Sequence, residues 1–203
     1  MKKEILKGII RDFHVEPLPG LFDRDIEVSL SSGKIISLVG ARRSGKTSLL
    51  LNIIGKLKKL GFEMRNILYL NFEDERLDLK TGELDLILQA YRELYPDLNL
   101  KECYLMFDEI QNIENWEKFI RRIYDTITSN IFITGSNARF LSSDIATSLR
   151  GRTLNYEVFP LSFREYLGFS DVGIDLHSSK SLAKMNNSLN KYLDYGGFPE
   201  VVK

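Results

Sequence analysis

An eight-residue segment near the start of the chain has the residue types and spacing that bind the phosphates of a nucleotide. It reads GARRSGKT and fits GxxxxGK[ST] at every fixed position. Small residues let backbone N–H groups turn inward around a β-phosphate, Lys46 reaches the β- and γ-phosphate oxygens, and Thr47 offers a hydroxyl to Mg²⁺. The helix that should follow directs the positive end of its dipole at the same phosphates. The predicted nucleotide-binding residues are Gly40, Ala41, Arg42, Arg43, Ser44, Gly45, Lys46, Thr47 and Ser48.

Arg42 and Arg43 have two interpretations within this loop. Either could add positive potential near a γ-phosphate, but solvated loop arginines are the commoner case. The loop as a whole could be a glycine-rich turn from strand to helix, although the match at each fixed position favours a phosphate loop.

Two adjacent carboxylates end an apolar run roughly sixty residues after the lysine of the loop, in the sequence YLMFDE. In a phosphate-loop protein, an acid at the end of this strand orders the magnesium shell opposite the threonine hydroxyl. The next acid can orient or deprotonate the attacking water. We therefore assign Asp108, with Thr47, to the metal and Glu109 to catalysis. Two solvated acids at a strand end are the alternative, and Glu109 favours hydrolysis over phosphoryl transfer to a small molecule.

The fourth apolar run ends in Thr134-Gly135-Ser136-Asn137. A polar side chain here would lie between the phosphate loop and the third strand, where it could sense the γ-phosphate or hold the water. Turn formation explains the same residues equally well. Further along, Arg150 and Arg152 precede the fifth strand. Either arginine could neutralise charge on the transferred phosphoryl group, from its own subunit or a neighbour, or could simply lie on the surface.

The elements that must position these residues alternate between strands and helices. Apolar runs predict five strands: Lys34–Val39, Asn66–Phe72, Cys103–Phe107, Asn130–Thr134 and Thr153–Phe159. Helical spacing predicts four helices: Lys2–Phe13, Ser48–Leu60, Glu83–Tyr95 and Trp116–Ile127. This alternation predicts an α/β fold with a mostly parallel five-stranded sheet covered by helices on both faces. With the phosphate loop and the glutamate, this pattern predicts a P-loop NTPase of the additional-strand, catalytic-glutamate type.

Two further segments carry weaker patterns. Asp25–Leu30 alternates as a strand would, and the sequence SSG after it is typical of a hairpin turn. Asp171–Leu189 is rich in Ser, Lys and Asn and indicates a linker or a loosely held helix.

Composition excludes several classes of protein. The formal net charge is +0, so bulk charge does not support binding to DNA or to a membrane surface. Cys103 cannot form an internal disulfide, and the chain has 2 His, which disfavours a zinc site. The sequence has neither a long apolar run nor a signal peptide, so we expect a cytoplasmic protein without membrane contact.

Six blocks of sequence resemble those of the AAA-like P-loop ATPases of archaea and bacteria, which are related to the STAND group. The blocks are GARRSGKTSLL, YLNFEDERL, LMFDEIQNIENWEKFIRRIYD, IFITGSNARFLSSDIATSLRGRT, FPLSFREYL and YGGFPEVV, between Ile35 and Val202. The combination is more specific than the phosphate loop and the acid pair alone.

The resemblance implies a sheet in which the phosphate-loop strand is central and the fourth strand lies between it and the third. It also implies that Ser136 or Asn137 is the sensor residue on the fourth strand, and that Arg152 is a better arginine candidate than Arg150. Members usually continue into a helical region and a further C-terminal domain. We therefore expect an ATPase core over 1–160 and a truncated helical lid or C-terminal region over 161–203.

The leading functional hypothesis is Mg²⁺-dependent ATP binding and hydrolysis that drives a conformational change. The partners would be ATP and ADP, and an unknown protein or C-terminal domain; a homo-oligomer is also conceivable. The alternative is a nucleotide-dependent switch with little turnover, in which binding energy sets the conformation. A small-molecule kinase lacks an acceptor-binding signature, and DNA binding lacks support from net charge.

Overall fold

The computed structural model describes residues 1–20, 22–136, 149 and 151–202. Within them, five strands form one parallel sheet in the order β2-β3-β4-β1-β5. The strands are β1 (Ile35–Val39), β2 (Ile67–Asn71), β3 (Tyr104–Asp108), β4 (Ile131–Gly135) and β5 (Thr153–Glu157). The predicted α/β class and the predicted place of β4 between β1 and β3 are confirmed. β1 is an interior strand, although β4 is the middle one.

Helices cover both faces of the sheet. They are α1 (Lys2–Val15), α2 (Lys46–Lys59), α3 (Asp85–Leu94) and α4 (Trp116–Thr126), followed by α5 (Phe163–Phe169), α6 (Ser179–Tyr195) and α7 (Pro199–Val202). Neighbouring residues on a strand point to opposite faces. Accordingly, Leu105 and Phe107 pack in a cluster with α1, α3 and α4, whereas Tyr104 and Met106 pack in a second cluster with α2. Both faces of β3 are buried, which explains its continuous apolar run.

The prediction of a strand at Asp25–Leu30 followed by a hairpin turn is wrong. This segment has no strand, although Ile26, Val28 and Leu30 are half-buried against the cluster that contains α2. The alternation of apolar and polar residues shows only that the side chains on one side of an extended segment are covered. It does not report backbone pairing, which requires a free edge of the sheet beside the segment.

The C-terminal part of the described chain is helical, as predicted. Asp171–Leu189 includes a helix, since α6 begins at Ser179, and no residue of α6 is buried. Tyr192 attaches this helix to the segment after β5, because its hydroxyl donates to the carbonyl of Leu161 at 2.9 Å. The backbone N–H of Leu161 donates in turn to the carbonyl of Gly197 at 2.7 Å. The predicted domain boundary at residue 160 stays a prediction.

Candidate phosphate-binding site

The predicted phosphate loop lies at the carboxyl end of β1 and leads directly into α2, which begins at Lys46. Gly45 precedes the helix with φ +98°, a conformation that L side chains rarely adopt. Gly40 is required for a different reason: a Cβ built on it would lie 2.2 Å from the carbonyl oxygen of Val158, just after β5. Gly45 is therefore required by the backbone conformation of the turn, and Gly40 by the close approach of a neighbouring backbone.

Lys46 is buried, with 3% of its side chain exposed. Its Nζ donates to the carbonyl oxygens of Gly40 at 3.2 Å and Ala41 at 2.9 Å, and lies 3.5 Å from Oε1 of Glu109. The ammonium group is therefore curled into the mouth of the loop. This is the position from which it can reach phosphate oxygens.

Asp108 is fully buried at the end of β3. Tyr69 donates to its Oδ2 at 3.0 Å, Thr134 donates to its Oδ1, and the hydroxyl of Thr47 lies near enough to favour the charged carboxylate. Burial raises the pKa of Asp108, and the three hydroxyl donors oppose that rise. The structure thus brings together Thr47 and Asp108, the two residues predicted to bind the metal.

Glu109 is also buried and has a left-handed backbone conformation with φ 51°. Its Oε2 accepts hydrogen bonds from the amide of Gln111 at 2.5 Å and from the hydroxyl of Ser136 at 2.8 Å. A residue other than glycine with positive φ is uncommon and is found preferentially at functional sites. The predicted catalytic acid and the predicted sensor Ser136 are therefore in direct contact.

Thr134 connects the two acids. Its fully buried hydroxyl donates to Asp108 and accepts the backbone N–H of Glu109 at 2.9 Å. The sequence indicated a polar side chain at the end of β4 but gave this threonine no specific role. Tyr69 and Gln111 were missed altogether: both lie in blocks that carry the family resemblance, but neither residue type indicated a role there.

A cavity of about 650 Å³ opens beside the phosphate loop. Its volume lies within the range of about 300–1,000 Å³ that is usual for small-molecule sites. Lys46, Thr47 and Glu109 are among its lining residues, together with the rings of Phe22 and Phe169. The cavity therefore combines charged and polar groups with apolar rings.

The donor set fits a magnesium ion shared with a bound nucleotide. Mg²⁺ prefers oxygen ligands and is commonly held by one or two carboxylates together with substrate phosphates. Thr47 and Asp108 supply a hydroxyl and a carboxylate that lie near each other. The hydroxyl of Ser44 is also buried within the phosphate loop and has no hydrogen-bond partner in the described part of the chain. An oxyanion beside it would satisfy that hydroxyl.

The arginines of the loop are only loosely held. Arg42 lies 3.4 Å from Glu73 and Arg43 lies 3.2 Å from Glu200, and all four side chains are largely exposed. Both arginines line the cavity. Glu73 is therefore an ion-pair partner of Arg42.

Arg152, predicted to neutralise phosphoryl charge from its own subunit or from a neighbour, lies far from the site of its own chain. Arg152 lies just before β5, where its guanidinium pairs with Asp125 at 3.0 Å and its carbonyl accepts the N–H of Ile35. This is the amino end of the sheet, whereas the phosphate loop follows the carboxyl end. A five-residue strand spans about 16 Å at 3.3 Å per residue, too far for a side chain to cross. Asn137 and Arg150 lie outside the described residues.

The parallel sheet, the phosphate loop at the end of an interior strand and the acids at the end of β3 define an α/β P-loop NTPase. A family model described as an AAA domain matches residues 32–167, so the chain belongs to this family. The predicted AAA-like P-loop ATPase family is confirmed. Membership implies nucleotide binding and identifies the chain as an ATPase module.

Two relatives extend over most of the chain. It is 40% identical over 203 residues to an uncharacterized protein of Methanocaldococcus jannaschii, covering 98% of this chain and 44% of the relative. It is 38% identical over 169 residues to an uncharacterized protein of Haemophilus influenzae, covering 83% of this chain and 40% of the relative. The chain therefore spans less than half the length of either relative.

Solved structures show only a distant likeness. A DNA replication initiation factor aligns with a TM-score of 0.43 and 15% identity, covering 95% of this chain and 60% of the other. PCH-2 of C. elegans aligns with a TM-score of 0.41 and 16% identity, covering 87% of this chain and 49% of PCH-2. Among the described residues, none of the helices combines the length and apolar character needed to cross a membrane.

Proposed function

We propose that this chain binds Mg²⁺-ATP over the phosphate loop and hydrolyses it with Glu109 as the base. The observation that carries the proposal is that each of two pairs of residues contributes one member, Thr47 or Glu109, to the lining of one cavity. Thr47 and Asp108 form the pair suited to a metal, and Glu109 and Ser136 form the pair suited to water. Each pair joins residues from two different elements, so the pairs exist only because of the fold.

The binding step uses the loop and the lysine. Backbone N–H groups of the loop and the start of α2 would hold the β-phosphate, and Lys46 would exchange its two carbonyl acceptors for phosphate oxygens. Ser44 would donate its buried hydroxyl to the same group. Mg²⁺, when bound, would neutralise charge on the β- and γ-phosphates and align them for attack. Thr47 and Asp108 are the residues that would hold it.

The hydrolytic step uses Glu109. Its carboxylate would accept a proton from a water molecule while the water oxygen bonds to the γ-phosphorus. The bond from that phosphorus to the β–γ bridging oxygen breaks, and ADP leaves with the electron pair. Ser136 and Gln111 fix the carboxylate, and Thr134 fixes the backbone N–H of the same residue. The predicted roles of Asn137, and of Arg152 towards a neighbouring subunit, stay predictions.

The test is phosphate release from Mg²⁺-ATP by wild type, Glu109→Gln and Lys46→Ala. We expect wild type to turn over and Glu109→Gln to bind ATP but lose about a hundredfold or more in rate, as for a lost general base. Lys46→Ala should fail to bind. Glu63→Gln is the matched control, because Glu63 is exposed, pairs with Arg65 and precedes the amino end of β2. No phosphate release by wild type would refute the enzymatic proposal.

A second candidate is a nucleotide switch with negligible turnover. The observation that favours it is that Oε2 of Glu109 already accepts two hydrogen bonds, and its Oε1 lies beside Lys46. A carboxylate held in this way is a poor base until nucleotide removes the lysine. Under this hypothesis wild type and Glu109→Gln bind ATP with equal affinity, and neither releases phosphate.

The conformational change that follows would act on a partner protein or on a C-terminal domain. Assembly into a homo-oligomer belongs to the same proposal, and sedimentation of the chain with and without nucleotide tests it. Cytoplasmic location also remains part of the proposal, and fractionation of cells checks it.

A further inference from the structure

One buried arginine lies beside the phosphate loop, among the residues that line the same cavity, and takes no part in the proposed hydrolysis. The side chain of Arg24 is 8% exposed, and all three nitrogens of its guanidinium donate hydrogen bonds. Nε donates to Glu165 at 2.7 Å, Nη1 donates to the carbonyl of Ser44 at 3.0 Å, and Nη2 donates to the carbonyl of Phe159 at 2.8 Å. Arg24 thus joins the phosphate loop to the segment after β5 and to α5.

The bond to Ser44 fixes the orientation of one peptide group. The carbonyl of Ser44 and the N–H of Gly45 belong to the same planar unit, and the described peptides are trans. In a trans peptide the two groups point in opposite directions. Because Arg24 holds the carbonyl on its own side, the N–H of Gly45 is directed away from Arg24. Arg24 also packs closely here, since a Cβ on Gly45 would lie 3.1 Å from Nη1.

Glu165 holds the guanidinium in place. Its Oε1 accepts from Arg24 and from the backbone N–H of Asp25 at 2.9 Å, and its Oε2 accepts the backbone N–H of Ser162 at 2.8 Å. The hydroxyl of Ser162 accepts the N–H of Glu165 in return, so the carboxylate is part of the capping box that begins α5. The first turn of α5 therefore determines where the guanidinium lies.

We propose that Arg24 is a positioning residue for the β-phosphate. The Arg24–Glu165 pair turns the N–H of Gly45 towards the phosphate side of the loop, and so makes nucleotide affinity depend on the position of α5. This inference rests on the proposed nucleotide site, because it specifies which phosphate the pair helps to bind.

ADP and AMP separate this role from a general effect on folding, because they differ only in the β-phosphate. The variants are Arg24→Lys, which keeps the charge but lacks the planar fork that reaches three separate acceptors, and Glu165→Gln. Arg122→Lys is the matched control, since Arg122 forms an exposed pair with Asp85 at 2.7 Å on the opposite face. Affinities are measured by displacement of a fluorescent ADP, and thermal unfolding is recorded for each protein.

We expect Arg24→Lys to weaken ADP binding by about tenfold, the worth of one charge-assisted hydrogen bond. AMP binding should change by less than about twofold, and Arg122→Lys should change neither affinity. In amide NMR spectra, the shift of the Gly45 resonance on addition of ADP should shrink in Arg24→Lys. The resonance of Gly61, another glycine with positive φ, should stay unchanged.

The inference is overturned if Arg24→Lys loses as much affinity for AMP as for ADP, or if a folded Arg24→Lys protein keeps its full affinity for ADP. Either result leaves the proposed nucleotide site intact. If Arg24→Lys does not fold, the same comparison is made with Glu165→Gln. The inference then requires that Glu165→Gln loses more affinity for ADP than for AMP. Failure of wild type to bind ADP at all is a different result, which refutes the proposed function itself.

Discussion

Removal of one hydroxyl group tests the arrangement of the two acids most directly. Thr134→Val keeps the shape of the side chain but removes the hydrogen bond to Asp108 and leaves the N–H of Glu109 without its acceptor. A hydrogen bond to a charged group contributes about 2 kcal/mol, and an unsatisfied buried N–H costs about 1 kcal/mol or more. The free energy of unfolding should therefore fall by about 3 kcal/mol, or about 6–12 °C in melting temperature for a chain of this size.

Catalysis should suffer as well, because Thr134 fixes the backbone of Glu109. We expect the rate of phosphate release to fall by about tenfold or more, which corresponds to about 1.4 kcal/mol of lost transition-state stabilisation. Unfolding in urea can be followed by the fluorescence of Trp116, the single tryptophan, which is 5% exposed. Phosphate release is measured on the same samples below the unfolding transition.

Thr128→Val is the control for this prediction. The hydroxyl of Thr128 is also buried and bridges backbone groups, donating to the carbonyl of Lys101 at 3.1 Å and accepting the N–H of Asn130 at 3.1 Å. It lies at the amino end of β4, so Thr128→Val should destabilise the chain by about 1–2 kcal/mol without changing the rate. If Thr134→Val loses under about 0.5 kcal/mol and keeps full activity, the bridging role is refuted. The same holds if both variants slow the reaction equally.

Two further predictions concern close packing and pH. Gly40→Ala should abolish nucleotide binding and lower stability, because the new Cβ would lie 2.2 Å from the carbonyl oxygen of Val158. The control is Gly55→Ala, where a Cβ meets nothing within 4 Å, and it should stabilise α2 by about 0.5–1 kcal/mol. Calorimetry compares the stability of the two variants with that of wild type. Burial opposes the charge on Glu165, but hydrogen bonds from Arg24 and two backbone N–H groups outweigh it and lower its pKa. Its stabilising effect should be complete above about pH 4.3, the unfolded value, and be lost as the pH falls through the lower folded pKa. The stability difference between wild type and Glu165→Gln, measured from pH 7 to pH 3, should shrink accordingly, and a constant difference would contradict the ion pair.

Most of the strands and helices were predictable because their signals are local. β3 is an unbroken apolar run, and the apolar spacing of α4 places Trp116, Phe119 and Ile123 on one buried face. Element ends moved by only one or two residues. Asp25–Leu30 was mispredicted because alternation shows which side chains are covered and does not show whether a strand partner is present.

The sequence alone determined the phosphate loop, the acid pair and the α/β alternation, because each depends on residue types at short, fixed spacing. Only the tertiary structure decided which distant side chains meet. Arg24 and Glu165 are 141 residues apart and form a buried pair, whereas Arg152, in a motif that suggested catalysis, lies at the opposite end of the sheet. The physical reason is that strand order and register set which end of the sheet a residue occupies. These depend on packing across the whole chain, which no local pattern encodes.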